Sequence, residues 1–448
     1  MSNDTSFQHN VARFVRQHAL LREEEKYLVA LSGGADSVSL LLVLRDLGYT
    51  VEACHCNFHL RGEESDRDET FCVDLCAQWN IPLHRTHFDT LLYARVHHVS
   101  IEMAARELRY RYFEQLLHDI QADAICVAHH RDDSVETMLI NMVRGTGIKG
   151  LTGIAPRNGN ILRPLLGVGR DDILRYLDGR GQKYVTDSTN LVADVLRNRI
   201  RLQVLPLLRE MNPSVCSNMA DTAEYLRQAS LLIDEHIGQS GVAKTMPDGV
   251  VLIDKTVLAR SGSPEYVLHE CLEQFRFSSA TAAEVMGSLS VVGKRWHSAT
   301  HQLAIDRHHI LVRPVPQHPF GSLRIPEEGK YVLGNGRVVR VRSYAKPDGF
   351  MPAKTSLLIT LDADNVAFPL CLRKAAAGDR FRPFGMRGSK LVSDFLTDNK
   401  CNAFEREDQL LLEDARGTIV WVVGRRTSQE SCVTTATSRI LEVSVEQD

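Results

Sequence analysis

Six consecutive residues, Ser32-Gly33-Gly34-Ala35-Asp36-Ser37, carry the groups that a bound phosphate chain requires. Two adjacent glycines let a backbone approach a ligand closely and adopt φ values that a Cβ forbids. If a strand precedes them and a helix opens on them, backbone N–H groups and a helix N-terminus converge on one point, a ready anion site. Asp36 is out of place against phosphate alone. It makes sense where a divalent cation, Mg²⁺, accompanies the phosphates. The string is neither GxGxxG nor GxxxxGK(S/T), whose lysine and hydroxyl occur nowhere in the chain. The bland alternative is a tight turn without a ligand.

A second chemical patch spans residues 128–153, AHHRDDSVETMLINMVRGTGIKGLTG. Asp132, Asp133 and Glu136 stand at the start of an expected helix, with Asp133 and Glu136 three apart on one face. Acids in a first turn also serve the helix dipole, which is their plain structural reading. His129 precedes them. His129 and His130 point to opposite faces of an expected strand, so they make a poor metal pair. Arg144-Gly145-Thr146-Gly147 is a Gly-rich, cation-tipped loop suited to phosphate. Farther on, Arg373, Lys374, Arg380, Arg382, Arg387 and Lys390 fall within eighteen residues that hold a single acid, Asp379. With Phe381 and Phe384 among them they read either as a grip on a nucleic-acid backbone or as a solvated basic loop.

The chain of 448 residues is long enough for two to four domains, and 44% apolar with 24% charged content is ordinary for a globular protein. No run of eighteen apolar residues occurs and the start lacks a signal-peptide pattern, so a cytoplasmic protein with no membrane partner is expected. Ten scattered cysteines fit a reducing compartment better than a disulfide framework. Cys54 and Cys56 alternate within a strand pattern and lack the CxxC pair of a zinc site, so they read as structural. A net charge of −3 gives no global basic field, and nucleic acid would need local clusters.

The positioning elements follow from periodicity. Strands are expected at 27–31, 49–57, 82–88, 124–130 and 160–166, and helices at about 7–21, 35–47, 66–79, 101–118 (capped by Ser100), one opening at about Asp132, and 170–180. That alternation predicts an α/β fold, a doubly wound and mostly parallel sheet with ligands at the carboxyl ends of its strands. Residues 196–211 read as one helix with Leu196, Ile200, Val204 and Leu208 on one face, Arg197 and Arg201 in a second stripe, and Pro206 as a kink. The expected domains are 1–213 as the α/β unit that carries the glycine turn, 214–318 as a small mainly helical module closing on strands near 302–313, and 319–448 as an α+β module. Pro314, Pro316, Pro319 and Pro326 mark the second boundary.

Taken in order, SGGADS at 32–37, HCNFHLRGEES at 55–65, ARELRY at 105–110, AHHRDDSVET at 128–137, RGTGIKGLTG at 144–153, DSTN at 187–190, RNRIR at 197–201 and GDRFRP at 378–383 resemble the tRNA(Ile)-lysidine synthetases. These form one branch of the Rossmann-like PP-loop enzymes that split ATP to AMP and pyrophosphate. The first motif alone indicates only a PP-loop; the block at 128–153 narrows it to this family. Two departures lie in the C-terminal module: fewer lysines after Gly388, and Asn402 where a proline is usual.

The resemblance implies a ligase that adenylates C2–O of the wobble cytidine of tRNA(Ile) with a CAU anticodon and then lets free L-lysine displace AMP. Decoding moves from AUG to AUA and identity from methionine to isoleucine. It implies that Ser32, Gly33, Gly34, Ala35, Asp36 and Ser37 hold ATP, with Asp36 toward Mg²⁺. Asp133 and Glu136, with His129 nearby, are the implied partners of the lysine amine, so the catalytic set is Asp36, His129, Asp133 and Glu136. Arg109, Arg144, Arg197, Arg201, Arg380 and Arg382 are the candidates for phosphate or tRNA. The oligomeric state stays open between monomer and homodimer. Two rivals remain: a PP-loop tRNA 2-thiolation enzyme, disfavoured by the missing CxxC, and a tRNA-binding protein that uses ATP only as a switch.

Overall fold

The computed structural model describes residues 3–186, 196–316, 320–333, 336–352 and 355–447. The DSTN string at 187–190 lies outside them. Two compact units divide the chain, Met1–Asp234 and Glu235–Asp448.

The first unit is built on a six-stranded sheet in the order β3-β2-β1-β4-β6-β5. Its strands are β1 (Lys26–Ala30), β2 (Thr50–Asn57), β3 (Leu83–His87), β4 (Ala124–Cys126), β5 (Arg157–Asn158) and β6 (Ile161–Leu162). Every pairing is parallel except β5 with β6. The chain grows outward from β1 through β2 to β3 and then returns to place β4 on the other side of β1. The strand order therefore reverses between β1 and β4, where such sheets open a crevice at their carboxyl ends.

The helices are α1 (Asn3–Gln17), α2 (Ala35–Asp46), α3 (Glu63–Trp79), α4 (Thr90–His97), α5 (Ile101–Asp119), α6 (Arg131–Arg144), α7 (Ile148–Leu151) and α8 (Arg170–Gly179). Burial explains α2: Val38 and Leu40 to Leu44 are fully enclosed, so this helix is apolar on every side. With α1 and α8 it forms one cover of the sheet, where the rings of Phe7 and Tyr176 stack at 4.4 Å. On the other face Phe113, Leu116 and Leu117 of α5 lie over Leu28, Cys54 and Ile125. Ser100 caps α5 as its type predicts, its Oγ accepting the Met103 N–H at 3.2 Å.

Three expectations change, the first being that the strand expected at 124–130 is only Ala124–Cys126, because the chain leaves the sheet there to start α6 at Arg131. The strand expected at 160–166 is only Ile161–Leu162, because Pro164 opens a 3₁₀ turn, Pro164–Gly167, whose Leu165 packs into the core. The single helix expected at 196–211 is α9 (Leu196–Arg199), a π turn at Ile200–Val204 and α10 (Leu205–Met211). The wider turn rotates the apolar face by one residue. Ile200 and Leu205 are buried against Val135 and Cys216, whereas Val204 is 39% exposed. The long helix α11 (Val215–Ser240) follows.

In the second unit, three helices between 255 and 286 accompany a five-stranded sheet covering 243–314, more strand than the hairpin expected near 302–313. Beyond it lie a five-stranded and a four-stranded sheet sharing a core around Trp421, Leu361 and Val443. Asn402 has a clear local reason: its Oδ1 accepts the Phe404 and Glu405 N–H groups at 2.9 Å and starts the helix Ala403–Asp408.

Candidate active site

The loop 31–34 leaves β1 and enters α2. Gly33 has φ +87°, a conformation that L side chains resist, and its carbonyl accepts the Val185 N–H at 2.9 Å. A Cβ there would also touch Cys72, Phe71 and Val185 at 3.4 Å. The turn is locked internally: Ser37 Oγ donates to the Gly34 carbonyl at 3.0 Å and accepts the Ser32 N–H at 3.2 Å. Ala35, Asp36 and Ser37 open α2, so their N–H groups have no partner within the helix. This is the local geometry that an anion site at 32–37 requires.

That loop opens into a cavity of about 580 Å³. Ser32, Gly34, Asp36 and Ser37 line it from the turn after β1 and the start of α2, His55 to Phe58 from the end of β2, Ala128 and His129 from the segment after β4, and Asp133 from the first turn of α6. Arg109 reaches it from α5, with its guanidinium 5.2 Å from the centre of the Phe58 ring. Residues from three distant motifs thus share one crevice at the β1/β4 switch point.

Beneath the cavity the acids of α6 are held by a set of arginines. Asp133 Oδ2 accepts the His130 N–H at 3.0 Å and thereby caps its own helix. Its Oδ1 accepts from Arg201 at 3.1 Å. Glu136, 1% exposed, takes two bonds from Arg201, at 2.6 and 2.9 Å. Burial pushes the Glu136 carboxyl up, and Arg201 restrains that rise. Burial would weaken the Arg201 cation, but Glu136 and the charges of Asp133 and Asp36 outweigh it and raise its pKa. The π turn gives Arg201 this position. Arg197 bonds Thr137 Oγ1 at 3.0 Å and lies 3.6 Å from Glu136.

His129 Nδ1 is buried without a hydrogen-bond partner among the described residues. Burial, with Asp133 opposing, lowers its pKa to about 4, so the ring is neutral at neutral pH. His129 faces the cavity whereas His130 is 4% exposed; β4 ends at Cys126 and His130 caps α6, so the lead into that helix and not strand alternation separates the rings.

The other arginines divide. Arg144 is exposed at the end of α6 and does not line the cavity. In the second unit, Arg373 is bound by Asp379 and Glu413, Lys374 by Asp408 and Lys390 by Asp398. Arg380 and Arg382 bond only neutral acceptors among the described residues, Ser389 and the Met386 carbonyl, so their charge stays available. Phe381 is buried and Phe384 is 49% exposed, so only the latter offers a ring to a base.

Two residues of this site, Arg170 and Arg209, escaped the sequence reading, and both converge on acids of the site. Arg170, at the start of α8, bonds the Asp36 carboxylate. Asp132 Oδ2 accepts the Arg170 backbone N–H at 2.7 Å, and Arg209 bonds Asp132 Oδ1 at 2.6 Å. Their only local signal was Gly169-Arg170-Asp171-Asp172, a helix start.

No reactive thiol faces this crevice. All ten cysteines are free. Burial raises Cys54, and it pushes Cys56 to about 12, so neither forms the thiolate that sulfur chemistry uses. Among the described residues, the only group spaced to ligate a metal by protein atoms alone is His269, Glu270 and Glu273, in the other unit.

Comparison with known proteins agrees with this geometry. Residues 3–208 match a family model described as a PP-loop domain, 247–315 a TilS substrate binding domain and 370–443 a TilS substrate C-terminal domain. The chain is 42% identical over 443 residues to the tRNA(Ile)-lysidine synthase of Parabacteroides distasonis, covering 97% of this chain and 99% of that one. It is 42% identical over 438 residues to the enzyme of that name from Bacteroides thetaiotaomicron, with 97% and 98% covered. With the Bacillus subtilis enzyme the identity is 31% over 447 residues, with 94% and 93% covered.

Proposed function

The chain belongs to the tRNA(Ile)-lysidine synthase family, and from that membership we infer that its PP-loop cavity makes lysidine on tRNA(Ile) in two steps. In the first, the C2 carbonyl oxygen of the wobble cytidine attacks the α-phosphorus of ATP and pyrophosphate leaves. In the second, the ε-amine of lysine attacks C2, AMP departs with the former carbonyl oxygen, and a proton leaves the nitrogen. A poor oxygen leaving group thereby becomes a good one. The product reads AUA in place of AUG.

The observation that carries this reading is the convergence of the 32–37 loop, His129 and Asp133 on one cavity. The unpartnered N–H groups of Ala35, Asp36 and Ser37 bind the departing pyrophosphate and stabilise the charge that develops on it. The residues fit Mg²⁺, which takes one or two carboxylates together with phosphate oxygens; Asp36 would hold it, and when bound it neutralises that same charge. Asp133, open to the cavity, receives the lysine ammonium. Glu136 lies deeper and fixes Arg201 behind it. Neutral His129 beside Asp133 is placed to accept the amine proton. Arg109 meets phosphate. Arg144 and Arg197, with the 214–318 and 319–448 modules and their Arg380 and Arg382, guide the tRNA. Ten free cysteines suit the cytoplasm.

The order of steps is testable with lysine withheld. The chain, Mg²⁺-ATP and a CAU-anticodon tRNA(Ile) transcript should yield pyrophosphate and an adenylated tRNA, which added lysine discharges as AMP. Lysine-dependent exchange of pyrophosphate into ATP without tRNA would instead show that the amino acid is activated first.

A further inference from the structure

Asp36 is already engaged. The Arg170 guanidinium bonds its carboxylate across 134 positions of sequence, and His130 Nε2 stands 3.8 Å from the same oxygen. The two ends of Arg170 are held very differently. Its backbone is pinned, because its N–H meets Asp132 Oδ2 at 2.7 Å and the preceding Gly169 N–H meets Asp172 Oδ2 at 2.9 Å. Asp132 is itself buried and bonded by Arg209. The side-chain pair is loose by comparison, with Arg170 39% and Asp36 32% exposed. Exposed pairs of this kind contribute little and exchange readily. The root is fixed and the head can turn, and the head lies at the rim of the loop proposed to take the triphosphate.

We propose that Arg170 neutralises Asp36 while the nucleotide site is empty and transfers its guanidinium to the phosphate chain when a Mg²⁺-nucleotide binds, leaving Asp36 to the cation. The assignment rests on the reading of Asp36 as the carboxylate for Mg²⁺. The balance of charge supports it. Without the arginine an unneutralised carboxylate faces a polyanion, and with it neither Asp36 nor the phosphates is ever uncompensated. A planar fork suits both partners, since guanidinium pairs two-pronged with carboxylate and with phosphate alike. Asp132 and Arg209 are then positioning residues, which set the point from which the head turns.

The test is nucleotide binding, read without turnover. ATP affinity is titrated calorimetrically on the full chain, without tRNA or lysine, once in EDTA and once in saturating Mg²⁺. The ratio of the two dissociation constants measures how strongly metal and nucleotide bind together. Arg170→Gln removes the neutralising cation when metal is absent but only one phosphate contact when metal is present. It should therefore weaken binding in EDTA about tenfold more than in Mg²⁺, and raise the ratio by that factor. Arg170→Lys keeps the charge and should restore most of the affinity in EDTA. A merely structural arginine would weaken both titrations alike and leave the ratio unchanged, which overturns the proposal. Asp36→Ala should drive the ratio toward one. If it leaves the ratio unchanged, the Asp36 reading itself is wrong; if Asp36→Ala behaves as expected and Arg170→Gln does not, Arg170 alone is misassigned.

Discussion

The cavity at the β1/β4 switch point and the basic segment at 373–390 both bring arginines near acids, and they use them in opposite ways. At the cavity the buried pairs lock the acids of α6 in place: Arg201 on Glu136 and Asp133, Arg209 on Asp132. The arginines fix the positions of those acids. In the basic segment the acids subtract charge from Arg373, Lys374 and Lys390, and Arg380 and Arg382 keep theirs, bonding only neutral acceptors among the described residues. Counting charges in sequence could not distinguish the two. A buried network positions, an open set of cations attracts, and the two should fail differently when cut.

The largest effect is expected at Asp36. Asp36→Ala should lower pyrophosphate release by about a hundredfold or more, comparable to losing one preorganised stabiliser of developing charge, while tRNA binding measured by filter retention holds. Loss of both together would make the turn structural. Next comes Glu136→Ala, which strips the more deeply buried of its two carboxylates from Arg201. Chemical denaturation of this variant should show a loss of about 2–4 kcal/mol, because the guanidinium is two-thirds covered and keeps only Asp133. A loss below about 0.5 kcal/mol would put this pair in the class of surface bridges and erase the contrast.

A smaller effect concerns pH. His129 in the folded chain has a pKa near 4, below the ordinary 6.5 of an unfolded histidine. The unfolded state therefore takes up a proton first as pH falls. Stability should decline between pH 6.5 and 4, by about 3 kcal/mol at most from this residue, and level off below. His129→Gln should flatten that part of the curve. The smallest effect lies in the basic segment. Arg380→Ala should weaken tRNA binding only several-fold and reduce the salt slope by about one, leaving pyrophosphate release unchanged at saturating tRNA. A change in melting temperature with no change in salt slope would show that Arg380 belongs with the locking arginines.

Local patterns foretold the parts of the site that depend on local geometry. The glycine turn at 32–37, the Ser100 cap, the enclosed helix behind Asp36 and the parallel sheet all follow from composition and period, and each is present. What escaped was set by contacts far apart in sequence or by a break in period. Arg170 meets Asp36 across 134 positions, and no spacing rule reports a pair at that separation. The π turn at Ile200–Val204 moves burial from Val204 to Leu205, and that extra residue is invisible to a count in steps of 3.6. The sheet over 243–314 joins short strands that, apart from the 302–313 hairpin, carry too few residues to show alternation.

The central claim is that one cavity holds ATP, lysine and a cytidine together. Its most direct test is the incorporation of labelled lysine into a CAU-anticodon tRNA(Ile) transcript by the full chain with Mg²⁺-ATP. One lysine should enter per tRNA with one AMP formed, and Asp36→Ala should incorporate none. Absence of incorporation by the unaltered chain, while a family enzyme of known activity succeeds on the same transcript, would contradict it.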